Sequence, residues 1–169
     1  MQRGATERGR ALTRARLELA LPAGDRLLLD TTTLAAYFDA TEATHAVASH
    51  VIDELVASGR NPAVVSMITV MEILVRPLRA SPPGHHTVLA FLRHLPNLEA
   101  VPLSIEMAQE AASLRAVHRF SPPDALVIGS GIACQVARLV TNDADWPRKL
   151  AGHADRIGVC MLRDYLPFD

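Results

Sequence analysis

The sequence predicts a three-layer α/β fold, in which a central, mostly parallel sheet of about five strands is flanked by helices. Short continuous apolar runs between turn residues are typical of strands that are buried on both faces of a parallel sheet. Longer segments with an apolar residue at every third or fourth position are typical of helices that cover such a sheet. The two kinds of segment alternate along the chain, and this alternation predicts parallel strands joined by helical crossovers.

The first half of the chain provides two predicted strands, each followed by a helix. Residues 27–29 are three leucines before an acid, which predicts a short buried strand. Apolar residues at helical spacing predict a helix over 44–58, and Gly59 ends it. A second apolar run at 63–65 predicts another buried strand, and a helix over 66–78 follows it.

The second half continues the alternation. Apolar residues on one face predict a helix over 85–95, and a short strand over 98–101 follows it. Ser104 is a suitable N-terminal cap for a long helix over 104–118. Ser121, followed by proline at the first helical position, opens the next helix. The last predicted elements are strands over 137–140 and 157–161.

Composition and charge restrict the class of protein. The chain has 169 residues, of which 49% are hydrophobic and 21% are charged, and its formal net charge is −1. These values are typical of one folded domain and exclude a disordered chain. The chain also lacks the large basic excess of histone-like nucleic-acid binding, but a local basic groove is compatible with its charge.

The sequence favours a cytoplasmic protein. No apolar run reaches the length of a membrane span, and arginines interrupt the N-terminal segment, so that it has no secretory apolar core. The two cysteines, Cys134 and Cys160, lie in apolar surroundings without metal-binding spacing. They are interpreted as buried thiols in a reducing compartment.

Residues 1–24 are expected to form an N-terminal leader that is distinct from a single domain over 25–169. Leu12 and Leu19 could line one face of a short helix, which the turn residues after Pro22 would end. The leader is therefore either a flexible extension or a docking helix, and the sequence leaves both interpretations open.

Four acids lie near the predicted sheet edge where strands end. Asp30 and Asp143 each follow a strand, whereas Glu72 and Asp124 lie on helices next to strands. In an open α/β sheet, ligands bind beyond the carboxyl ends of the strands. Carboxylates that share a cleft repel one another unless a cation neutralises them, and oxygen ligands without Cys or His favour Mg²⁺ or Mn²⁺ over zinc. Such an ion can turn water into a nucleophile and offset charge that develops on a phosphate.

Each acid also has a structural interpretation. Asp30 could cap the helix that follows it, and Asp124 could form a capping box with Ser121. Glu72 lies in an apolar stretch and should be exposed or paired, because burying an unpaired charge is costly. Asp143 could be an ordinary loop residue.

Four segments in order along the chain contain these acids. They read LLDTTTL over 28–34, SMITVMEIL over 66–74, PDALVI over 123–128 and LVTNDADW over 139–146. Together they resemble the motifs of the PIN domain, in particular those of the VapC-type toxin ribonucleases. One such motif alone would be a weak signal, whereas four in order, with similar spacing, form a strong one.

The resemblance implies a PIN-like nuclease domain over 25–169 and a Mg²⁺- or Mn²⁺-dependent endoribonuclease that hydrolyses RNA phosphodiester bonds. It implies a toxin of a type II toxin–antitoxin pair, with RNA as its substrate, a cognate antitoxin as its protein partner, and a homodimeric state. The implied site has three groups of residues. They are the catalytic and metal-binding acids Asp30, Glu72, Asp124 and Asp143, the supporting residues Thr32, Thr141 and Asp145, and the possible RNA or antitoxin contacts Arg76, Arg79 and Arg119.

Two features depart from the family pattern. Gly129 and Gly131 interrupt the helix after Asp124, and each helical glycine costs about 1 kcal/mol relative to alanine. Either the backbone makes a close contact there or the helix ends early. The leader is also longer than a minimal domain of this family needs.

Two other functions have less support in the sequence. A catalytically inactive PIN-like module that binds RNA or protein would be favoured by the loss of an acid, and all four are present. A phosphatase of the haloacid-dehalogenase type would need a second Asp two residues after the first. Thr32 occupies that position, and Lys149 comes too late in the chain for the lysine of such an enzyme.

Overall fold

The computed structural model describes residues 2–80 and 83–168 of the chain, with side chains from residue 11 onward. Its centre is a five-stranded sheet in which every neighbouring pair of strands is parallel. Helices cover both faces of the sheet, so the predicted three-layer α/β class is confirmed. The strands are β1 (Leu27–Leu29), β2 (Ala63–Ser66), β3 (Leu98–Val101), β4 (Arg138–Thr141) and β5 (Gly158–Met161).

The helices lie between and around these strands. The helices predicted over 66–78, 85–95 and 104–118 have boundaries within about two residues of the predicted ones, which is the usual uncertainty at helix ends. The exception is the helix predicted over 44–58, which changes to a π-helix at His50–Val56. The α-helices of the described residues are α1 (Gln2–Ala20), α2 (Thr31–Phe38), α3 (His45–Ser49), α4 (Met67–Ala80), α5 (Gly84–His94), α6 (Ile105–Val117), α7 (Pro122–Ala133) and α8 (Trp146–Lys149).

The order in which strands are added to the sheet reverses at the central strand, β1. The strand order is β3-β2-β1-β4-β5, so the chain builds β2 and β3 on one side of β1 and then β4 and β5 on the other. Leu29 of β1 pairs with Val140 of β4, and these two strands therefore end side by side. The crevice beyond the carboxyl ends of the strands at such a reversal is the usual ligand site of open α/β sheets.

Successive residues of β1 face opposite helical layers. Leu27 and Leu29 belong to the hydrophobic cluster that includes α1 to α5, whereas Leu28 belongs to the cluster that includes α6 and α7. All three leucines are fully buried, as the continuous apolar run predicted. The acid that follows them, Asp30, therefore lies directly after a fully buried strand.

Helices α6 and α7 approach each other closely. A Cβ atom on Gly129 would lie 2.7 Å from the carbonyl oxygen of Met107, so only glycine fits there without a shift of the backbone. The helix continues past this point to Ala133. The close backbone contact is therefore present, and the interpretation that the helix ends early is wrong.

The leader contains a docked helix. Leu17 and Leu21 are fully buried in the cluster that includes β1. The expectation that Leu12 and Leu19 line the apolar face is wrong, because these two side chains are exposed. The Arg60 guanidinium donates to the Leu21 carbonyl at 2.8 Å, and His50 lies 3.0 Å from the carboxylate of Glu18. The C-terminal half of α1 is thus packed into the core through both apolar and polar contacts.

Among the described helices, none combines the length and the apolar character that crossing a membrane requires. Both cysteines are free thiols. Cys160 is buried as predicted, and burial raises its pKa to about 11. Cys134 is only partly buried, because it caps the exposed end of α7.

Candidate active site

The residues at the ends of β1 and β4 form the centre of the candidate site. Asp30 follows the last residue of β1 and is the N-cap of α2. Thr141 is the last residue of β4, and Asp143 lies two positions beyond it. Because the two strands are paired in register, these side chains meet at one edge of the sheet.

Asp30 is buried, with 5% of its surface exposed, and its side chain accepts five hydrogen bonds. The Oδ1 atom accepts from the amides of Thr32 and Thr33, at 2.9 and 3.1 Å, and from the Thr32 hydroxyl at 2.7 Å. The Oδ2 atom accepts from the Thr141 hydroxyl at 2.6 Å and from the Trp146 indole at 3.3 Å. Asp30 therefore caps α2, as its structural interpretation expected, and it is also the most enclosed acid of the candidate site.

The surroundings of Asp30 disfavour its charge. Burial raises the pKa of the Asp30 carboxyl, and the hydrogen bonds from Thr141, Thr32 and Thr33 oppose that rise. Every donor that contacts Asp30 is neutral, and no cationic side chain of residues 11–80 or 83–168 contacts it. A desolvated carboxylate without a counter-charge is costly, and a bound cation would remove that cost.

Two threonine hydroxyls join the ends of β1 and β4. The Thr32 and Thr141 oxygens lie 3.2 Å apart, and each also contacts Asp30. The Asn142 amide donates to the Thr32 hydroxyl at 2.8 Å, and the Asp143 amide donates to the Thr141 hydroxyl at 3.0 Å. The predicted supporting threonines thus hold Asp30 and position the loop that carries Asp143.

Asp143 and Asp145 have different positions. Asp143 is half-buried, and its Oδ1 atom accepts the amide of Asp145 at 2.9 Å. The Asp145 side chain is exposed and lies 3.2 Å from Arg148. Asp145 therefore contacts the candidate site through its backbone, while its carboxylate is paired at the surface.

Glu72 lies on the exposed face of α4 and accepts a hydrogen bond from the hydroxyl of Thr31. Both properties agree with the expectation that an acid in this apolar stretch is exposed or paired. Thr31 is the first residue of α2, so the contact joins α4 to the helix that Asp30 caps.

Asp124 lies in the first turn of α7. Its amide donates to the Ser121 hydroxyl at 3.3 Å, which is the capping contact that the sequence predicted. Its carboxylate accepts from the Lys149 ammonium at 2.8 Å, and both side chains are a little over one quarter exposed. The Lys149 ammonium also lies 4.9 Å from the centre of the Trp146 ring.

The three predicted arginine contacts are exposed and touch none of the four acids. Arg76 pairs with Asp39 at 3.3 Å, one turn beyond Glu72 on α4. Arg79 lies at the end of the same helix, and Arg119 lies in the loop between α6 and α7. All three remain candidates for contacts with RNA or an antitoxin around the acidic edge.

The donor chemistry of the edge suits a hard divalent cation, because the four candidate side chains offer only carboxylate oxygens. The positions of these side chains, however, do not form a complete metal-binding group. Within the described residues, no three side chains of His, Cys, Asp or Glu lie close enough together to hold a metal ion. The Asp124 carboxylate is paired with the Lys149 ammonium, and the Glu72 carboxylate accepts a hydrogen bond from the Thr31 hydroxyl. A metal would have to replace these partners.

Sequence reasoning missed three residues that hold these acids. Thr31 lies next to Asp30 in the same motif, and this position could have indicated that its hydroxyl lies at the candidate site. The indole N–H of Trp146 contacts Asp30, and no pattern in the sequence indicated this contact. Lys149 is the only lysine among seventeen Lys and Arg residues, and this rarity was the signal that could have singled it out.

Comparison with known proteins identifies a family. The model of the PIN domain family matches residues 27–151, which is most of the chain. Among curated proteins, none matches by sequence.

Solved structures share the fold at low sequence identity. A toxin–antitoxin complex from Klebsiella pneumoniae is 20% identical, with a TM-score of 0.59 over 80% of this chain and 97% of that one. The VapBC2 complex from Rickettsia felis, bound to a promoter DNA fragment, is 17% identical, with a TM-score of 0.62 over 80% and 98%. VapC20 from Mycobacterium tuberculosis, a toxin that cleaves the Sarcin-Ricin loop, is 16% identical, with a TM-score of 0.59 over 72% and 93%.

Proposed function

This chain belongs to the PIN domain family, and on that basis we propose that it is a metal-dependent endoribonuclease that hydrolyses RNA phosphodiester bonds. The observation that carries the proposal is Asp30, a buried carboxylate without a cationic partner among the described residues. It lies at the edge where open α/β sheets bind their ligands, and three other acids from separate segments lie near that edge.

Asp30, Glu72, Asp124 and Asp143 are the residues that would hold Mg²⁺ or Mn²⁺. When bound, such an ion supplies a Lewis acid that lowers the pKa of water and offsets charge on a phosphate. The other side chains prepare this edge. The hydrogen bonds from the two threonines and the indole fix both oxygens of Asp30, so that the carboxylate is oriented before any ligand arrives.

RNA would be positioned by basic side chains around this edge. Three arginines, Arg76, Arg79 and Arg119, are exposed, so their guanidinium groups are available to phosphate oxygens. The formal net charge of −1 indicates that such contacts are local. We therefore expect recognition to depend on the shape of the RNA as well as on its charge.

We propose further that the chain is the toxin of a type II toxin–antitoxin pair. The fold is shared with proteins whose structures were solved as toxin–antitoxin complexes. The surface beside Glu72 is suited to a partner helix, because α2, α4 and α5 form an apolar groove there and α4 exposes further apolar side chains. The groove lining includes Phe38, Ile73, Pro77 and Val88, and the exposed residues of α4 are Met67, Met71, Val75 and Leu78.

A homodimer in the cytoplasm is part of the same proposal. Helix α6 exposes Ile105 and Val117, with 82% and 76% of their surfaces accessible, and these side chains are available for a contact with a second copy. Light scattering on the purified chain gives its mass in solution directly. A dimer mass is expected, and a monomer mass at micromolar concentration would contradict this part of the proposal.

A second candidate function is a catalytically inactive PIN-like module that binds RNA or protein. The pairing of Asp124 with Lys149, together with the lack of a three-ligand group among the described residues, favours it. In that case the ammonium would replace the metal permanently. The two candidates differ in whether a divalent ion is required for cleavage.

The decisive experiment is RNA cleavage by the purified chain, separated from any partner. The reaction is run with Mg²⁺, with Mn²⁺ and with EDTA, on the wild type and on the Asp30→Asn and Asp155→Asn variants. Asp155 is an exposed acid outside the candidate site and provides the matched control. We expect cleavage that needs the metal and Asp30 but not Asp155. Metal-independent cleavage, or equal cleavage by Asp30→Asn, would contradict the proposal.

A further inference from the structure

Lys149 is the only lysine of the chain and lies inside the candidate site. It is the last residue of α8, the short helix that follows the Asp143 loop. Its ammonium lies 2.8 Å from the Asp124 Oδ2 atom and 4.9 Å from the centre of the Trp146 ring. A carboxylate on one side and an aromatic face on the other both favour a cation at this point.

The same tryptophan connects Lys149 to Asp30. The Trp146 indole donates to the Asp30 Oδ2 atom at 3.3 Å, while the ammonium of Lys149 lies over its ring. The ammonium therefore contacts one candidate acid directly and a second through the ring. In residues 11–80 and 83–168, no other cationic side chain contacts any of the four candidate acids.

The position of Lys149 follows from the charges at this edge. Carboxylates gathered at one edge repel one another when no cation is present, and an ammonium group offsets part of that repulsion. A divalent ion offsets more, but at Asp124 it would share one carboxylate with the Lys149 ammonium, and two cations that close repel each other. Lysine suits an exchange of this kind because its charge is carried on a flexible four-carbon stem and its side chain is partly exposed here.

We propose that Lys149 is an exchangeable counter-ion of the site, which holds Asp124 while the metal is absent and leaves it when a divalent ion binds. This inference rests on the proposed function, because it requires that a metal binds at these acids. Lys149 is then a positioning residue. It keeps Asp124 in place without a metal, and its release sets the metal concentration at which the site fills.

The single lysine makes this movement measurable by NMR spectroscopy. In protein labelled only with ¹³C-lysine, one Cε signal reports Lys149. We expect that signal to shift when Mg²⁺ is added, with the same midpoint as metal binding measured by calorimetry. The Asp124→Asn variant should shift the signal before any Mg²⁺ is added, because the ammonium has lost its ionic partner.

Calorimetry on Lys149 variants tests the exchange independently. Lys149→Met keeps the length of the stem and its packing on Trp146 but removes the charge, so Mg²⁺ no longer competes with it. We expect Mg²⁺ to bind Lys149→Met about threefold or more tightly than the wild type, which is the effect of removing one partly exposed ion pair. Lys149→Arg keeps the competing charge and should lack this gain. A merely structural lysine would leave metal affinity unchanged or lower it when removed.

The outcomes separate the two proposals. A shift of the Lys149 signal at the binding midpoint, with tighter binding by Lys149→Met, supports the exchange. If Mg²⁺ binds but the signal stays in place, or if Lys149→Met binds no more tightly, the exchange is refuted and the nuclease proposal stands. If neither protein binds Mg²⁺ while both remain folded, the proposed function fails and this inference fails with it.

Discussion

Asp30 and Asp124 are two acids of the same candidate site in contrasting surroundings. Asp30 is buried, and it is fixed by five hydrogen bonds from neutral donors. Asp124 is partly exposed and is paired with a single flexible cation. The first acid is oriented before a ligand arrives but lacks a counter-charge, whereas the second has a counter-charge that it can exchange. The candidate site thus combines one acid whose orientation is fixed with another acid that is paired with a flexible cation.

Substituting Asp124 should have the largest effect on RNA cleavage and tests its role in this contrast. Asp124→Asn removes a carboxylate that is proposed to bind the metal but leaves the N-terminal turn of α7 capped by Ser121. We expect RNA cleavage to fall to background, as for Asp30→Asn, while the free energy of unfolding changes by less than about 1 kcal/mol, because the lost ion pair is partly exposed. Cleavage assays and urea denaturation measure both. Cleavage at the wild-type rate would remove Asp124 from the site.

Thr141 tests how firmly Asp30 is held. Thr141→Val keeps the shape of the side chain but removes a buried hydroxyl that donates to Asp30 and accepts from the Asp143 amide. Leaving these groups unsatisfied should lower the free energy of unfolding by about 1–3 kcal/mol. Thr141→Ser retains the hydroxyl and is the matched control. Equal stability of the valine variant and the wild type would show that Asp30 does not depend on this contact.

The pH dependence of stability tests the surroundings of Asp30. Because burial raises the pKa of Asp30 in the folded protein, its favourable contribution is complete below pH 3.8 and is lost as the pH rises through the raised pKa. Without metal, the stability of the wild type relative to Asp30→Asn should therefore fall with rising pH in that range. Chemical denaturation of both proteins across this range, with EDTA present, measures the difference. A difference that grows in the opposite direction would contradict the account of Asp30.

Thr31 should give the smallest effect on stability. Its hydroxyl contacts Glu72 at an exposed position, so Thr31→Val should change the free energy of unfolding by well under about 1 kcal/mol. Cleavage should nevertheless fall, because Glu72 loses the contact that holds it towards α2. Thr31→Ser should restore cleavage. If the serine variant is as impaired as the valine variant, the hydroxyl is not the relevant group.

The parts of this account that the sequence predicted are local. Three leucines before Asp30 predicted both the buried strand and the position of the acid at its end, and the capping role of Ser121 followed from its spacing to Asp124. These features depend on neighbouring residues, which fix backbone geometry within a turn or a strand.

The contacts that the sequence did not predict join distant segments. Lys149 and Asp124 are 25 positions apart, and Thr31 and Glu72 are 41 apart. Their meeting depends on how α4, α7 and α8 pack around the sheet edge, which no local pattern encodes. The rarity of lysine in this chain distinguished Lys149 from the other basic residues, but it did not predict where Lys149 lies in the fold.

Diffraction from a crystal soaked in Mn²⁺ tests the central claim most directly, because anomalous scattering locates the ion without reference to activity. The account predicts a peak beyond the carboxyl ends of β1 and β4, within coordination distance of Asp30 and Asp124, with the Lys149 ammonium moved away from Asp124. A well-ordered crystal with no peak at this edge, or with Mn²⁺ bound only at other residues, would contradict it.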